Sequence, residues 1–244
     1  MPMAITVDET GLRAAATRLS ASTGTHPVAA AEPPGLDATS MSAVAQINAA
    51  STALATLLTH SSALREVGAV AVTATATTLA AQDDANASGI ATLTTPHTVS
   101  APPPLPSVPE PVVPAIPTMP AALAPLPGEA HSRALYGGPG SHSLHALAEH
   151  LDTTATHLRG LSEHLSRTGQ LIDSSWDDGG RQQAGANVAR HARWLAQAGE
   201  HAATLAVRCR TVALNRPGMS GDSICWEGWG HVRWFVEAVS AGAS

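Results

Sequence analysis

The sequence predicts an all-α protein: two long helical hairpins packed as an elongated four-helix bundle, with a proline-rich linker and a flexible C-terminal tail. Three observations carry that expectation. Aromatic residues are 3% and charged residues 13% of the 244, so Ala, Leu, Val and Trp must build the core. Ala and Leu favour helices, and small side chains let helices approach closely. The C-terminal half repeats apolar residues at alternating spacings of three and four. Between the two halves lies a stretch holding 12 of the 18 prolines, which no helix bundle can absorb.

The repeat is the clearest signal. Leu144, Leu147, Leu151, Thr154, Leu158, Leu161, Leu165, Thr168 and Ile172 form a heptad seam. Asp173-Ser-Ser-Trp-Asp-Asp-Gly-Gly then supplies a turn, with Gly179 and Gly180 permitting sharp reversal. His191, Leu195, Ala198, Ala202, Leu205, Cys209 and Val212 continue the seam on a returning helix. Each helix is ~32 to 35 residues, or roughly 50 Å long. A lone hairpin buries one stripe per helix, so a second hairpin is needed to close a core.

The N-terminal part supplies the candidate. Asp8 is a predicted N-cap ahead of Leu12, Ala15, Ala16 and Leu19. Gly24 to Pro34 breaks that helix. A longer helix is expected from about Ser40 to Leu93. Its apolar stripe includes Met41, Val44, Ile47, Leu54, Leu57, Leu58, Leu64, Val67 and Val70.

The expected organisation is therefore a helical hairpin over 1–95, a linker over 96–130, a second hairpin over 131–214 and a Trp-rich tail over 215–244. In the linker, Pro103, Pro106 and Pro109 recur every third residue, as do Pro111, Pro114, Pro117 and Pro120. Polyproline II has three residues per turn, so each set makes a stripe along one edge. Such a segment is a semi-rigid spacer of ~3.1 Å per residue.

Charge and cysteine content narrow the function. The net charge is −6 and every basic residue is Arg. Without Lys there is no P-loop lysine and no Schiff-base lysine. The negative charge sits in residues 1–130, and the remainder is balanced. No basic patch exists, so nucleic acid is not an expected partner. Cys209 and Cys225 do not make a disulfide framework. The first residues lack the pattern of a signal peptide, and no run of 18 apolar residues exists.

No catalytic constellation stands out, so the chain is not expected to be an enzyme. Twelve histidines raise the question of a metal. His150, His157 and His164 are seven apart, about 10.5 Å along one helix, which is too far for one ion. His142 and His145 have suitable spacing but no evident third ligand. No metal and no cofactor is expected.

At the turn, a family resemblance enters. A long hairpin with Trp176 at its tip resembles the WxG superfamily of type VII secretion substrates. Trp194, 18 residues later and followed by small residues, resembles the PPE-like half of the mycobacterial B-type Esp proteins. Residues 3–95, from Met-Ala-Ile-Thr-Val-Asp to Leu79-Ala-Ala-Gln-Asp83-Asp-Ala-Asn-Ala-Ser-Gly-Ile90, are similar to their PE-like hairpin. The turn holds one residue more than Trp-x-Gly, because Gly179 follows Asp177 and Asp178. Leu79 stands where the Tyr-x-x-x-Asp/Glu export signal has Tyr, and Asp83 is kept. The additional helices of the PPE family are missing.

The resemblance implies a secreted or cell-envelope protein, cytoplasmic before type VII export. It implies that Trp176, Gly179, Leu79 and Asp83 carry recognition by the secretion machinery, through its ATPase or a chaperone. A core anchor closing the bundle end is an equal reading of Trp176. Homo-oligomerisation or pairing with a helical partner is implied as well, and contact with anionic lipid more weakly. The alternative is a non-exported accessory that pairs with a genuine substrate through its hairpin. Trp194, Trp226, Trp229, Trp234 and Phe235 are candidate interface residues. For the four in the tail the other reading is a segment folded back onto the bundle.

Overall fold

The computed structural model describes residues 6–24, 26–92, 101–118, 127–177 and 181–214. The elements are β1 (Thr6–Val7), α1 (Glu9–Ala21), α2 (Ala38–Thr92), α3 (Gly128–Tyr136), α4 (His142–Ser175), β2 (Trp176–Asp177) and α5 (Arg181–Leu214). The protein is all-α apart from the two-residue strands, as expected. Trp226, Trp229, Trp234 and Phe235 lie outside the described residues, as do Gly179 and Cys225.

α4 and α5 form the predicted hairpin. Leu144, Leu147, Leu151, Leu158, Leu165 and Ile172 of the seam are each 2% exposed or less. The buried face is wider than a two-helix seam. Ala148, Ala155 and Gly169 are buried beside it, and Thr154 is only half-buried. The extra width accommodates α1 and α2, which pack against the hairpin. Small residues set the spacing. A Cβ on Gly199 would lie 3.2 Å from the Ala155 carbonyl oxygen. Ser162 Oγ donates to the Ala192 carbonyl across the same interface at 2.7 Å. Cys209 is fully buried, and burial pushes its thiol up to about 11, so it is a packing residue.

The N-terminal pair is less even than expected. α1 has 13 residues and α2 has 55. α1 stops where Gly24, Pro27, Pro33 and Pro34 disfavour helix. The chain does not leave the bundle there. Residues 26–37 run along it as a strap. Ala31 N–H donates to Asn48 Oδ1 and Asn48 Nδ2 donates to the Ala31 carbonyl, both at 2.9 Å. Ser51 Oγ donates to the Ala29 carbonyl, and Ser143 Oγ bonds both backbone groups of Glu32. The strap continues the face that α1 leaves open. Asn48→Ala is expected to cost about 1 kcal/mol in urea unfolding, because it leaves the Ala31 amide and carbonyl without these partners.

α2 begins at Ala38, capped by Asp37, whose Oδ1 accepts the Ser40 N–H at 2.9 Å. Its buried face departs from the expected stripe. Val44, Ile47, Leu54, Leu57 and Leu58 are buried, but Met41, Leu64 and Val70 are 52%, 43% and 47% exposed. Ser61, Ser62 and Arg65 are buried in their place. α2 is long and apolar enough to cross a membrane by length and composition, although 61% of its apolar window is buried in this fold. That window is therefore the core helix of the bundle. The β-branched run Thr73–Thr78 stays helical. Thr73, Thr75 and Thr78 each donate to the carbonyl four residues back.

Two features of the linker region differ from a free spacer. Val113 and Ile116, three residues apart, pack against the main core. α3 then forms across the expected boundary between the linker and the second hairpin, and Leu36 N–H donates to the Ala134 carbonyl at 2.7 Å. Gly138 makes that docking feasible, since a Cβ there would lie 2.5 Å from the Pro34 carbonyl oxygen.

Candidate recognition tip of the bundle

α4 ends at Ser175, and Trp176 takes an extended conformation, φ −139° and ψ 109°. Val7 pairs with Trp176 and Thr6 with Asp177 in antiparallel register. Asp8, the predicted cap of α1, has a backbone N–H that donates to the Ser175 carbonyl at 2.7 Å, and its carbonyl accepts the Leu12 N–H. Its carboxylate makes no cap bond. The first residues of the described chain are thus bonded to the hairpin turn.

A small second core lies beneath this pairing. Leu12, Ala15, Ala76 and Ile172 are buried in it, and Val7, Val72, Trp176 and Val188 pack on its sides. α1, α2, α4 and α5 all contribute. Trp176 is half-buried, with its indole Nε1 shielded and without a hydrogen-bond partner among the described residues. The side chain is therefore both a closing plug and part of the surface. Gly11 allows the close approach of α1, because a Cβ there would lie 2.1 Å from Ser175 Oγ.

α2 carries Leu79 and Asp83 away from this core. Ala76, Leu79 and Asp83 follow at spacings of three and four, so they lie along one helical face. Leu79 is half-buried and Asp83 exposed. Asp83 is about 10 Å along the axis from Ala76. Beyond Ala76 only Gly89 is buried in this helix, and Ile90 is 76% exposed. The helix runs 16 residues past Ala76 to Thr92, roughly 24 Å.

Trp194 sits elsewhere. It is half-buried on the main core and stacks on His191, with ring centroids 5.7 Å apart. Gly11, Val7 and Ala76 escaped the sequence reading. Only Gly11 carried a signal, a glycine inside an otherwise helical pattern. His26, His150 and His157 line one cavity of about 190 Å³. Among the described residues, no group of three His, Cys, Asp or Glu side chains is placed to hold a metal ion.

Comparison with known proteins bears on this geometry. Residues 122–215, which include α3, α4, the Trp176 turn and all of α5, match the PPE family model. That segment is similar to the PPE family domain. Across the whole chain the fold is that of EspB from the ESX-1 type VII secretion system. The two structures superpose with a TM-score of 0.66 over 96% of this chain and 89% of EspB, at 19% identity. The resemblance to type VII secretion proteins is borne out, the family model matching the PPE-like half and the fold match extending over both halves. A short segment is also 62% identical over 42 residues to the probable transport accessory protein MmpS1 of Mycobacterium tuberculosis (strain CDC 1551 / Oshkosh). That match covers 17% of this chain and spans little more than a quarter, 28%, of MmpS1.

Proposed function

We propose that this chain, with its PPE-like segment, is a type VII secretion substrate that acts by binding, and that the bundle tip is the surface read for export. The supporting observation is the placement of Trp176 and Ala76 in one small core, with Leu79 and Asp83 continuing the same face of α2. On this reading the Trp176 turn and the Leu79–Asp83 segment form one epitope from the two halves of the chain. Gly179, which lies outside the described residues, is assigned to the same recognition set by the family resemblance alone. The machinery's ATPase or a chaperone is the partner for that surface. After export from the cytoplasm, the protein resides in the envelope or medium and assembles through its helical faces. Contact with anionic lipid is a further part of this reading.

Export of tagged protein into culture filtrate, with and without the secretion ATPase, tests it. The wild-type chain is expected in the filtrate only when the ATPase is present. Trp176→Ala is expected to lower export at least tenfold, while Leu79→Tyr raises it by restoring the aromatic of the export signal. Retention in the cytosol of both strains rejects the substrate reading. It would favour the second one, an accessory that pairs with a genuine substrate, for which the Leu at position 79 is the specific observation.

A further inference from the structure

Between Pro102 and Pro117, only Ser107, Val112 and Ala115 are neither proline nor followed by proline. Proline fixes its own φ at about −65° and pushes the residue before it into extended backbone. The segment therefore favours polyproline II, with three residues per turn and no internal hydrogen bonds. It forms neither helix nor strand. Its exposure follows the same period. Val113 and Ile116, three apart, are half-buried against the main core. Val108 and Pro111, three apart on the next edge, are half-buried as well. The remaining edge is Pro103, Pro106, Pro109, Val112 and Ala115, and every one of these is exposed. Val112 reaches 90%.

An exposed polyproline edge is the shape that grooves lined with aromatic rings recognise, and its fixed backbone lowers the ordering cost of association. Two features hold this edge ready. The prolines restrict the backbone before any partner arrives, and Val113 and Ile116 fasten the segment to the bundle. The edge from Pro103 to Pro109 is roughly 19 Å long. It opens on Pro103-Pro104-Leu105-Pro106, where Leu105 is 50% exposed beside the prolines. Charge narrows the partner. Glu110 is the one ionisable side chain in residues 101–118, and it is exposed. A groove with an acidic pocket for a flanking Arg or Lys finds no such residue in this segment. Aromatic rings with a basic rim are the complement.

We propose that the Pro103–Pro109 edge is a docking site for a partner domain of the WW type, whose groove is lined by aromatic side chains and rimmed by basic ones. The rings pack against Pro103, Pro106 and Pro109, and the basic rim lies beside Glu110. This surface is separate from the Trp176 turn and stands without the export reading.

Calorimetric titration of the full chain with an isolated WW domain tests the proposal. The probe is one that recognises Pro-Pro-Leu-Pro and carries Arg or Lys at its groove rim. It is expected to bind once per chain, at least tenfold more tightly than an SH3 domain, whose acidic pocket needs a basic residue in its ligand. Pro103→Ala, Pro106→Ala and Pro109→Ala combined are expected to weaken binding at least tenfold while keeping the melting temperature, because all three side chains are exposed. Val113→Ser with Ile116→Ser frees the segment from the core and is expected to weaken binding about threefold, since the segment must then be ordered on association. A wild-type chain that does not bind the WW domain overturns the proposal. So does undiminished binding by the triple variant, or equal binding of the SH3 domain. A wild-type dimer that the triple substitution makes monomeric assigns the edge to a second copy and also overturns it. Should the triple variant fail to fold, Pro106→Ala alone decides.

Discussion

Acidification from pH 7.5 to 5 is expected to remove about 4 kcal/mol of stability and lower the melting temperature by roughly 10 °C. The cause is two histidines held neutral inside the bundle. Burial first, then Arg65 and His60, lower His191 from 6.5 to about 4. Burial first, then Arg208, lower His201 to about 4 as well. Because the unfolded chain binds these protons first, the stabilisation is complete above pH 6.5 and is lost as pH falls towards 4. At pH 5 the deficit is about 2 kcal/mol for each histidine. His26 is lowered in the same direction, by burial and then by Arg65 and His157. Once protonated, His191 Nε2 can no longer accept from Arg65, and two cations face each other within the core. Melting curves at pH 7.5, 6 and 5 check the slope. His191→Gln and His201→Gln should each remove about half of it. A melting temperature that does not change with pH refutes the account.

Gly11→Val is expected to cost about 2–3 kcal/mol, as overpacking at a closed contact does. Any Cβ at position 11 would lie 2.1 Å from Ser175 Oγ and 2.9 Å from Ser175 Cβ. Ser175 is itself buried and directly precedes Trp176, so it has little room to yield. The strain is relieved by lifting α1 off α4, which breaks the bond from Asp8 N–H to the Ser175 carbonyl and the pairing of Val7 with Trp176. Stability and the tip are then lost together. Ser175→Gly removes two of the three close atoms and leaves only the Asp8 carboxylate, 2.6 Å away at the end of a side chain that can turn aside, so the double variant should recover at least half of the lost stability in a mutant cycle measured by urea unfolding. A Gly11→Val chain as stable as wild type would show that α1 does not close on the turn.

The hairpin was legible because leucine at a sustained seven-residue period leaves few alternatives. Leu144 to Ile172 and Leu195 to Cys209 mark their own buried face. The hidden polar part of α2 was not legible. Leu64 and Arg65 are adjacent, and composition assigns the Leu to the core and the Arg to water. The bundle reverses them because Ser61, Ser62, His191 and the Ser22 carbonyl are ready to receive the guanidinium. The strap escaped for a similar reason. Its end at Gly24 to Pro34 was visible, but its bonds go to Asn48, Ser51 and Ser143, whose nearness is tertiary. The proline period announced an extended segment without announcing that Val113 and Ile116 would dock. At the tip, Trp176 drew attention by its chemistry, whereas Ala76 and Gly11 matter for being small and carry no such mark.

The antiparallel pairing of Val7 with Trp176 has a consequence for timing. A tip assembled from positions near 7–12, 72–79 and 171–188 does not exist on a chain still being synthesised through α4. It arises only after the first helix has found the last turn, across nearly the whole described length. A receptor that reads this surface therefore also reads completion. Unfolded chains, and fragments that lack either α1 or the α4 turn, cannot present this surface, so on the proposed reading its receptor separates folded chains from unfolded ones.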